Sequence, residues 1–202
     1  LFSALNAVQG PVIRTLCAKM ECKELLPGQF LFREGQVSQA MYFVLHGSLR
    51  YILNGDTVAG AELLMSPSVD SVGTTGAALV TTGQWCSEAA LWTHSEHVGN
   101  MESVTSSSVL AMGVTDFAEA MSLSPAASQV VQDYGAQFHR LTSESDELTD
   151  LAESVYHAEI MLSLSEENRV LLAAPVLDAC RNGTSLWDKV FGGGELDKME
   201  KE

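Results

Sequence analysis

The sequence predicts an α+β protein: an antiparallel, jelly-roll-like β-roll of about eight strands, with one helix before it and several helices after it. The first 19 residues repeat apolar side chains at spacings of three and four, which is typical of an amphipathic helix. From Phe30 the apolar period becomes two, and glycines separate short apolar runs, as in antiparallel sheets. From Thr115 onward the helical spacing returns.

The leading helix is predicted over residues 1–19, with a break at Gly10-Pro11. Strands are predicted where short runs rich in aromatic and β-branched residues end at glycines or other turn residues. These runs cover residues 30–33, 41–45, 49–53, 78–82, 101–105 and 109–114. Residues 54–77 are rich in Gly, Ser, Thr and Val and predict a long loop. Residues 89–92 could form one helical turn.

Several helices are predicted after the strands. Thr115-Asp116 can begin one helix, and Pro125 can occupy the first position of the next, whose apolar stripe continues to Leu141. Two more are predicted at about 144–162 and 165–181, and Pro175 predicts a kink or a split in the second. We therefore divide the chain into a first domain of residues 1–143 and a helical extension of residues 144–202.

Charge and composition exclude several classes of function. The net charge of −15 argues against a nucleic-acid-binding protein and against docking on an anionic membrane. No apolar run approaches the roughly 20 residues of a membrane span, so no membrane insertion is expected. The four cysteines lack metal-ligand spacing, which favours free thiols in a reducing, cytoplasmic compartment. Residues 144–202 carry a net charge of −9, either as a solvated helical face or as a docking surface for a basic partner.

A regular series of turns and strands occupies residues 26–47. A Pro27-Gly28 turn precedes a strand, a Glu34-Gly35 turn follows it, and an aromatic-aliphatic strand then ends at Gly47. Gly83 stands at a third turn. The pattern resembles the cyclic-nucleotide-binding domain family over about residues 1–141. Stretches 91–93 and 116–120 are most similar to the channel-type cyclic-nucleotide-binding homology domains. The resemblance implies a leading helix, a β-roll and lid helices within residues 1–143.

The resemblance also implies a ligand site after Gly83. In the family, a glutamate takes the ribose hydroxyl, an arginine pairs with the cyclic phosphate, and the amides of a short helix cradle that phosphate. Glu88 matches the glutamate, Ser87 replaces a glycine, and Asn100, or His97 in a second alignment, stands where the arginine is expected. Aromatic residues on the lid helix could stack on a base. The candidate ligand-binding residues are Ser87, Glu88, Ala89, Ala90, Asn100, Met101, Tyr134 and Phe138.

The missing arginine predicts weak or no binding of cAMP or cGMP. Truncating a buried charge-assisted pair costs roughly 2–5 kcal/mol, and every 1.4 kcal/mol is about tenfold in affinity, so a micromolar site would become millimolar. We expect a degenerate pocket that is either empty or filled by the protein itself. Binding of another small ligand and a functional cAMP or cGMP sensor are the alternatives. Glu88 could also simply cap the short turn.

The sequence carries no recognisable catalytic pattern. A phosphate-binding loop and a nucleophile elbow are both absent from it, so we expect no enzyme. His94 and His97, with Glu96 between them, could bind a metal, but loop histidines are usually solvated, and we expect neither a metal nor a cofactor. The sequence thus predicts a non-catalytic regulatory domain, a cytoplasmic module of an ion channel or similar protein, with an attached channel or effector region or another protein as partner. The alternative is an interaction module that docks through its acidic tail.

Overall fold

The computed structural model describes residues 1–53, 77–143, 149–151 and 154–181, except for the side chains of 154–156 and 175–181. The described residues form five α-helices, eight antiparallel strands and one short 3₁₀ helix, which confirms the predicted α+β class. The chain divides into two compact units. The β-roll unit contains Glu21–Gly113 and Ser145–Ala152, and the helical unit contains Leu1–Met20, Val114–Glu144 and Glu153–Glu202.

Two four-stranded antiparallel sheets make up the β-roll unit. The strand order is β1-β8-β3-β6 in one sheet and β2-β7-β4-β5 in the other, so most neighbours are distant in sequence, as a roll requires. The strands are β1 (Glu21–Leu25), β2 (Phe30–Phe32), β3 (Ala40–His46), β4 (Ser48–Leu53), β5 (Ala77–Thr81), β6 (Trp85–Cys86), β7 (Gly99–Ser103) and β8 (Ser107–Gly113).

The sequence analysis missed β1 and β6. Strand β1 is an edge strand with four exposed residues out of five, so it carries no apolar alternation. Strand β6 has only two residues, too few to show any period. Both strands exist because they pair with β8 and β3, whose positions are set elsewhere in the chain.

Alternating burial along the strands places the core. In β7, Gly99, Met101 and Ser103 are buried, whereas Asn100 and Glu102 are only partly buried and lie on the opposite face. In β4, Leu49 and Tyr51 are buried in the same way. The buried cluster of the unit is Phe32, Ala40, Tyr42, Val44, Leu49, Tyr51, Val80, Cys86, Met101, Val109 and Ala111.

Gly47 shows why glycine stands at a turn of the roll. Its φ is +84°, a left-handed conformation that glycine adopts without steric cost. A β-carbon at this position would lie 2.7 Å from the carbonyl oxygen of Ser106, closer than real β-carbons approach backbone atoms. The predicted glycine turns at Gly35 and Gly83 have positive φ as well.

The helical unit contains α1 (Phe2–Lys19), α2 (Val114–Ser122), α3 (Pro125–Ser143), α4 (Ser154–Ser163) and α5 (Glu166–Arg181). Helix α1 is broken at Gln9, next to the predicted break, and buries Leu5 and Leu16 on one face. Pro125 begins α3 as predicted. The hydroxyl of Ser124 accepts a hydrogen bond from the amide of Ala127 at 3.3 Å, which caps this helix.

The predicted helix over residues 144–162 is wrong at residues 149–151, and residues 144–148 and 152–153 lie outside the described residues. Thr149-Asp150-Leu151 is not helical and belongs to the β-roll unit, to which its polar groups bond, and α4 begins at Ser154. Helix α5 continues past Pro175 to Arg181, so the split predicted there is absent, and the kink predicted as the other outcome stays a prediction. Residues 54–76 of the predicted long loop lie outside the described residues. The domain boundary at 143/144 stays a prediction.

None of the helices in the described part of the chain has both the length and the apolar character needed to cross a bilayer.

Candidate functional site

The carboxylate of Asp150 is buried in the β-roll unit and held by four hydrogen-bond donors. One oxygen, Oδ2, accepts hydrogen bonds from the Tyr51 hydroxyl at 2.9 Å and from the amides of Val98 and Gly99 at 3.0 and 3.1 Å. The other, Oδ1, lies 2.8 Å from Nδ1 of His97. We call these four donors the anion site. An ionised carboxylate only accepts hydrogen bonds, so four donors match it chemically.

The pairing of β4 with β7 in one sheet places the Tyr51 ring beside Gly99, whose amide is part of the anion site. A β-carbon on Gly99 would lie 2.6 Å from the Tyr51 ring and 2.7 Å from the carbonyl oxygen of Ile52, so only glycine admits the ring here. The ring can then lie against the backbone whose amide donates to Asp150. Burial raises the pKa of Tyr51, which keeps its hydroxyl protonated and able to donate.

His97 is fixed by its backbone and by an aromatic neighbour. Its ring stacks on Phe32 with a centroid distance of 3.7 Å and an interplanar angle of 5°. Its backbone exchanges hydrogen bonds with Gly35 and Gln36, the turn after β2, both at 2.9 Å. Because the carboxylate has no hydrogen to donate, the hydrogen bond to Oδ1 places a proton on Nδ1 of His97.

The main chain around Asp150 forms hydrogen bonds with the edge of the sheet that contains β6. The Ser87 amide donates to the carbonyl oxygen of Asp150 at 2.6 Å, and Leu151 forms an antiparallel bridge with Cys86. The half-buried Leu151 packs against the core cluster of the roll. We call Thr149-Asp150-Leu151 the Asp150 segment. The segment thus binds the roll by its backbone, its carboxylate and an apolar side chain.

No protein-family model matches this chain, and no curated protein matches it. Solved structures do match. A C-linker/CNBHD structure of zELK channels, crystallised in the presence of cAMP, is 17% identical with a TM-score of 0.51, over 74% of this chain and 63% of that chain. The N-terminal domain of a transcriptional regulator from Streptomyces coelicolor A3(2) is 20% identical with a TM-score of 0.51, over 73% of this chain and 94% of that chain.

The fold is that of the cyclic-nucleotide-binding domains. The resemblance seen in the glycine-punctuated strands is therefore confirmed for the fold. These two structures come from a channel and from a transcriptional regulator. The chain spans less than two thirds of the zELK structure.

The resemblance places Ser87 where the cyclic-nucleotide-binding family has a glycine. Its φ of 60° and ψ of 34° are left-handed, and among the described residues it is the single non-glycine residue with positive φ. Such a conformation costs on the order of 1 kcal/mol. Its hydroxyl oxygen is buried and finds no hydrogen-bond partner in the described part of the chain. Its amide, by contrast, holds Asp150.

Glu88, the predicted ribose ligand, is bonded to two indoles. Its Oε2 accepts from Nε1 of Trp85 at 3.1 Å and its Oε1 accepts from Nε1 of Trp92 at 3.4 Å. Glu88 begins the 3₁₀ helix Glu88–Leu91, which contains the candidates Ala89 and Ala90, the latter buried. The carboxylate anchors the tryptophans on either side of this short helix.

The two alignments place different residues, Asn100 and His97, at the position of the family's arginine. Asn100 lies on the face of β7 away from the core, and its Oδ1 accepts a hydrogen bond from the amide of Glu34 at 3.3 Å. His97, from the second alignment, is the residue that reaches the anion site. Met101 is fully buried in the core cluster.

The lid-helix candidates Tyr134 and Phe138 are buried residues of α3. The Tyr134 hydroxyl lies 2.9 Å from Nδ1 of His157 on α4, so its polar end has a partner within the helical unit. Their role in stacking on a base stays a prediction.

Arginine side chains are common partners of a bound phosphate. Arg50 pairs with Glu102 at 2.9 Å, and the Arg33 guanidinium lies 4.1 Å from the centre of the Phe30 ring. Arg140 donates to Gln137 on its own helix. Of the described residues that donate to the Asp150 carboxylate, none carries a guanidinium.

Metal and thiol chemistry find little support in the described residues. Across residues 1–53, 77–143, 149–151 and 154–181, no three His, Cys, Asp or Glu side chains come together to hold a metal ion. Burial raises the pKa of the Cys86 thiol to about 12, so this thiol stays protonated at neutral pH and is not a nucleophile.

Asp150 and three residues of the anion site, Tyr51, Val98 and Gly99, were not among the candidates. Gly99 gave a usable signal, because an isolated glycine in a strand often marks a close backbone approach. Tyr51 looked like an ordinary core aromatic. Asp150 gave no signal, since it stands in an acidic stretch 53 residues from His97 and 99 residues from Tyr51.

Proposed function

We propose that this chain is a non-catalytic regulatory domain of the cyclic-nucleotide-binding type whose own Asp150 segment fills the anion site. Cyclic AMP and cyclic GMP then bind weakly or not at all. The observation that carries this proposal is the buried Asp150 carboxylate, bonded to Tyr51, His97 and two backbone amides.

A cyclic phosphate would have to displace a ligand that is already well bound. Hydrogen bonds to a charged group contribute about 1.5–3 kcal/mol each, and Asp150 accepts four. Because the segment is part of the same chain, it competes at an effective concentration in the millimolar range. A nucleotide would gain no guanidinium in exchange, since Arg33 and Arg50 have other partners.

The chain order supports a regulatory role. Helix α3 ends at Ser143 and α4 begins at Ser154, so the Asp150 segment lies between two helices in the sequence. We infer that release or capture of the segment is the regulatory step, passed to the helices that precede and follow it in the sequence. We infer a cytoplasmic module of an ion channel or similar protein, with an attached channel or effector region as the partner. The zELK channel fold and the acidic net charge, unsuited to nucleic acid, support this context.

A titration of the intact chain with cAMP and with cGMP, up to millimolar concentration, tests the proposal. We expect no binding heat and no rise in melting temperature. A ligand present at 100 times its Kd stabilises a protein by about 2.7 kcal/mol, so micromolar binding would be obvious. A clear rise with either nucleotide would establish the alternative, a functional cAMP or cGMP sensor.

The charge of residues 144–202, net −9, favours a second candidate function: docking of a basic protein through the acidic tail. Screening shortens the reach of charges from about 10 Å at 0.1 M salt to 3 Å at 1 M salt. A partner held by the tail should therefore be released when the salt concentration is raised. A partner retained equally at low and high salt would exclude docking by charge.

A further inference from the structure

We propose that Ser87 is a strained contact that weakens the hold of the β-roll on the Asp150 segment and so keeps the segment releasable. The inference rests on the proposed function, in which the segment fills the anion site, and it adds the residue that sets how often the site opens. Three features of Ser87 support it: a left-handed backbone, a buried hydroxyl and an amide that donates to the segment.

The backbone of Ser87 is held in an unfavourable conformation. Its φ of 60° and ψ of 34° bring the β-carbon close to the following carbonyl group, a contact that glycine avoids. Cys86 before it ends β6, and Glu88 after it begins the 3₁₀ helix. Within the described ranges, no other residue except glycine has a positive φ. The strain is therefore concentrated at the single residue between β6 and the 3₁₀ helix.

The side chain of Ser87 adds a second cost. Ser87 is 1% exposed, and its hydroxyl oxygen forms no hydrogen bond with any residue that the structure describes. A hydroxyl that is shut away from water without a partner is unfavourable, and the neighbouring Cys86 thiol is only a weak substitute. Departure of the segment would open this residue to water and remove the cost.

Backbone hydrogen bonds tie both costs to the segment. The Ser87 amide donates to the carbonyl oxygen of Asp150 at 2.6 Å, and Cys86 forms the antiparallel bridge with Leu151. The bond from the Ala90 amide to the Ser87 carbonyl oxygen, at 3.2 Å, lies on the helix side of the residue and can persist. Once the segment leaves, the amide side of Ser87 is free to relax. The filled site is then less stable than its hydrogen bonds alone suggest.

Hydrogen exchange of the amides that donate to the carboxylate measures release of the segment. The amides of Val98 and Gly99 donate to Asp150, whereas the amide of the buried Ser103, on the same strand as Gly99, donates to Gln29 at 2.8 Å. In the wild-type chain we expect Val98 and Gly99 to exchange faster than Ser103, because release of the segment is a local opening. Equal rates would mean that the segment leaves only when the protein unfolds, which would overturn the proposal.

The variants S87G and S87A separate the backbone strain from the hydroxyl. S87G removes both costs, whereas S87A removes only the hydroxyl, since alanine keeps the β-carbon. We expect Val98 and Gly99 to exchange about fivefold more slowly in S87G than in S87A, a factor that corresponds to about 1 kcal/mol of relieved strain. The same exchange rates in both variants would show that the left-handed backbone does not weaken the hold on the segment.

A double variant shows whether the segment imposes the strain. S87G should raise the melting temperature of the wild-type chain by about 2–4 °C but leave that of D150A unchanged, because the segment is already released there. If D150A does not fold, L151G, which loses the apolar contact of the segment, replaces it. An equal rise in both backgrounds would assign the strain to the turn itself and refute the proposal. The proposed function fails separately, if cAMP stabilises the wild-type chain.

Discussion

At the scale of single residues, the anion site depends on two unusual backbone positions. Ser87 accepts a left-handed conformation, and its amide then points at the carbonyl oxygen of Asp150, 2.6 Å away. Gly99 lacks a side chain where the Tyr51 ring approaches. The left-handed backbone of Ser87 costs local stability, and Gly99 has no side chain that could pack. Each of the two residues places a backbone amide where it donates a hydrogen bond to Asp150.

The substitution G99A tests the close approach of Tyr51. The added methyl would meet both the Tyr51 ring and the Ile52 carbonyl oxygen, so the variant should lose about 1–3 kcal/mol of unfolding free energy. Urea unfolding followed by tryptophan fluorescence measures the loss. G10A is a matched control, because its methyl would meet only side-chain atoms, the flexible Arg14 guanidinium at 3.3 Å and the Asn6 Oδ1 at 3.8 Å. We expect G10A to unfold at the wild-type urea concentration or above it, and a G99A curve that coincides with it would contradict the packing described.

At the scale of secondary-structure elements, Asp133 joins α3 to the start of α5. Its Oδ2 accepts hydrogen bonds from the amide of Ser165 at 2.8 Å and from Nδ2 of Asn168 at 2.7 Å. Partial burial acts to raise the pKa of Asp133, but the hydrogen bonds from Asn168 and Ser165 outweigh it, and the pKa is lowered. The carboxylate thus supplies a cap to α5 from a neighbouring helix.

The lowered pKa fixes the pH dependence of this cap. The pKa of an aspartate in an unfolded chain is about 3.9, so the stabilisation by Asp133 is complete above that pH and is lost as the pH falls through the folded pKa. D133N should cost about 1 kcal/mol at pH 6, typical of a lost cap, and the difference from wild type should shrink below pH 4. Urea unfolding of both proteins from pH 6 to pH 3 measures this. Unfolding free energies that differ by a constant amount at every pH would contradict the role given to the Asp133 charge.

At the scale of the whole molecule, two separate stretches of the chain contribute to the β-roll unit. The last strand of the roll ends at Gly113, α2 and α3 follow in the chain, and Thr149, Asp150 and Leu151 belong to the β-roll unit again. The return is fastened by a carboxylate that is 8% exposed. A short segment far along the chain therefore completes the site of a roll formed by residues 21–113.

Removing that carboxylate should destabilise the protein far more than removing a surface carboxylate. D150A leaves the Tyr51 hydroxyl and two backbone amides without an acceptor, so we expect a loss of about 3 kcal/mol or more. D116A removes an exposed partner 3.4 Å from Lys19, for which a loss below about 1 kcal/mol is expected. Urea unfolding compares the two variants, and losses of similar size would show that Asp150 is not a structural ligand of the roll.

The sequence by itself determined the class of fold and its main turns. Apolar periods of two and of three to four are local properties of a chain, and Gly47 marks a turn because its own backbone requires positive φ. The absence of an arginine in the cassette could also be read directly, as could the serine in place of a glycine at position 87.

Only the tertiary structure determined which groups form the anion site and that Asp150 binds there. Edge strand β1 has no apolar pattern of its own and exists through pairing with β8. Asn100 lies on the face of β7 away from the core, whereas His97, which precedes β7, is buried beside Asp150. Asp150 reaches donors 51 to 99 residues away in sequence, and no local period encodes a hydrogen bond that forms only when the roll has closed.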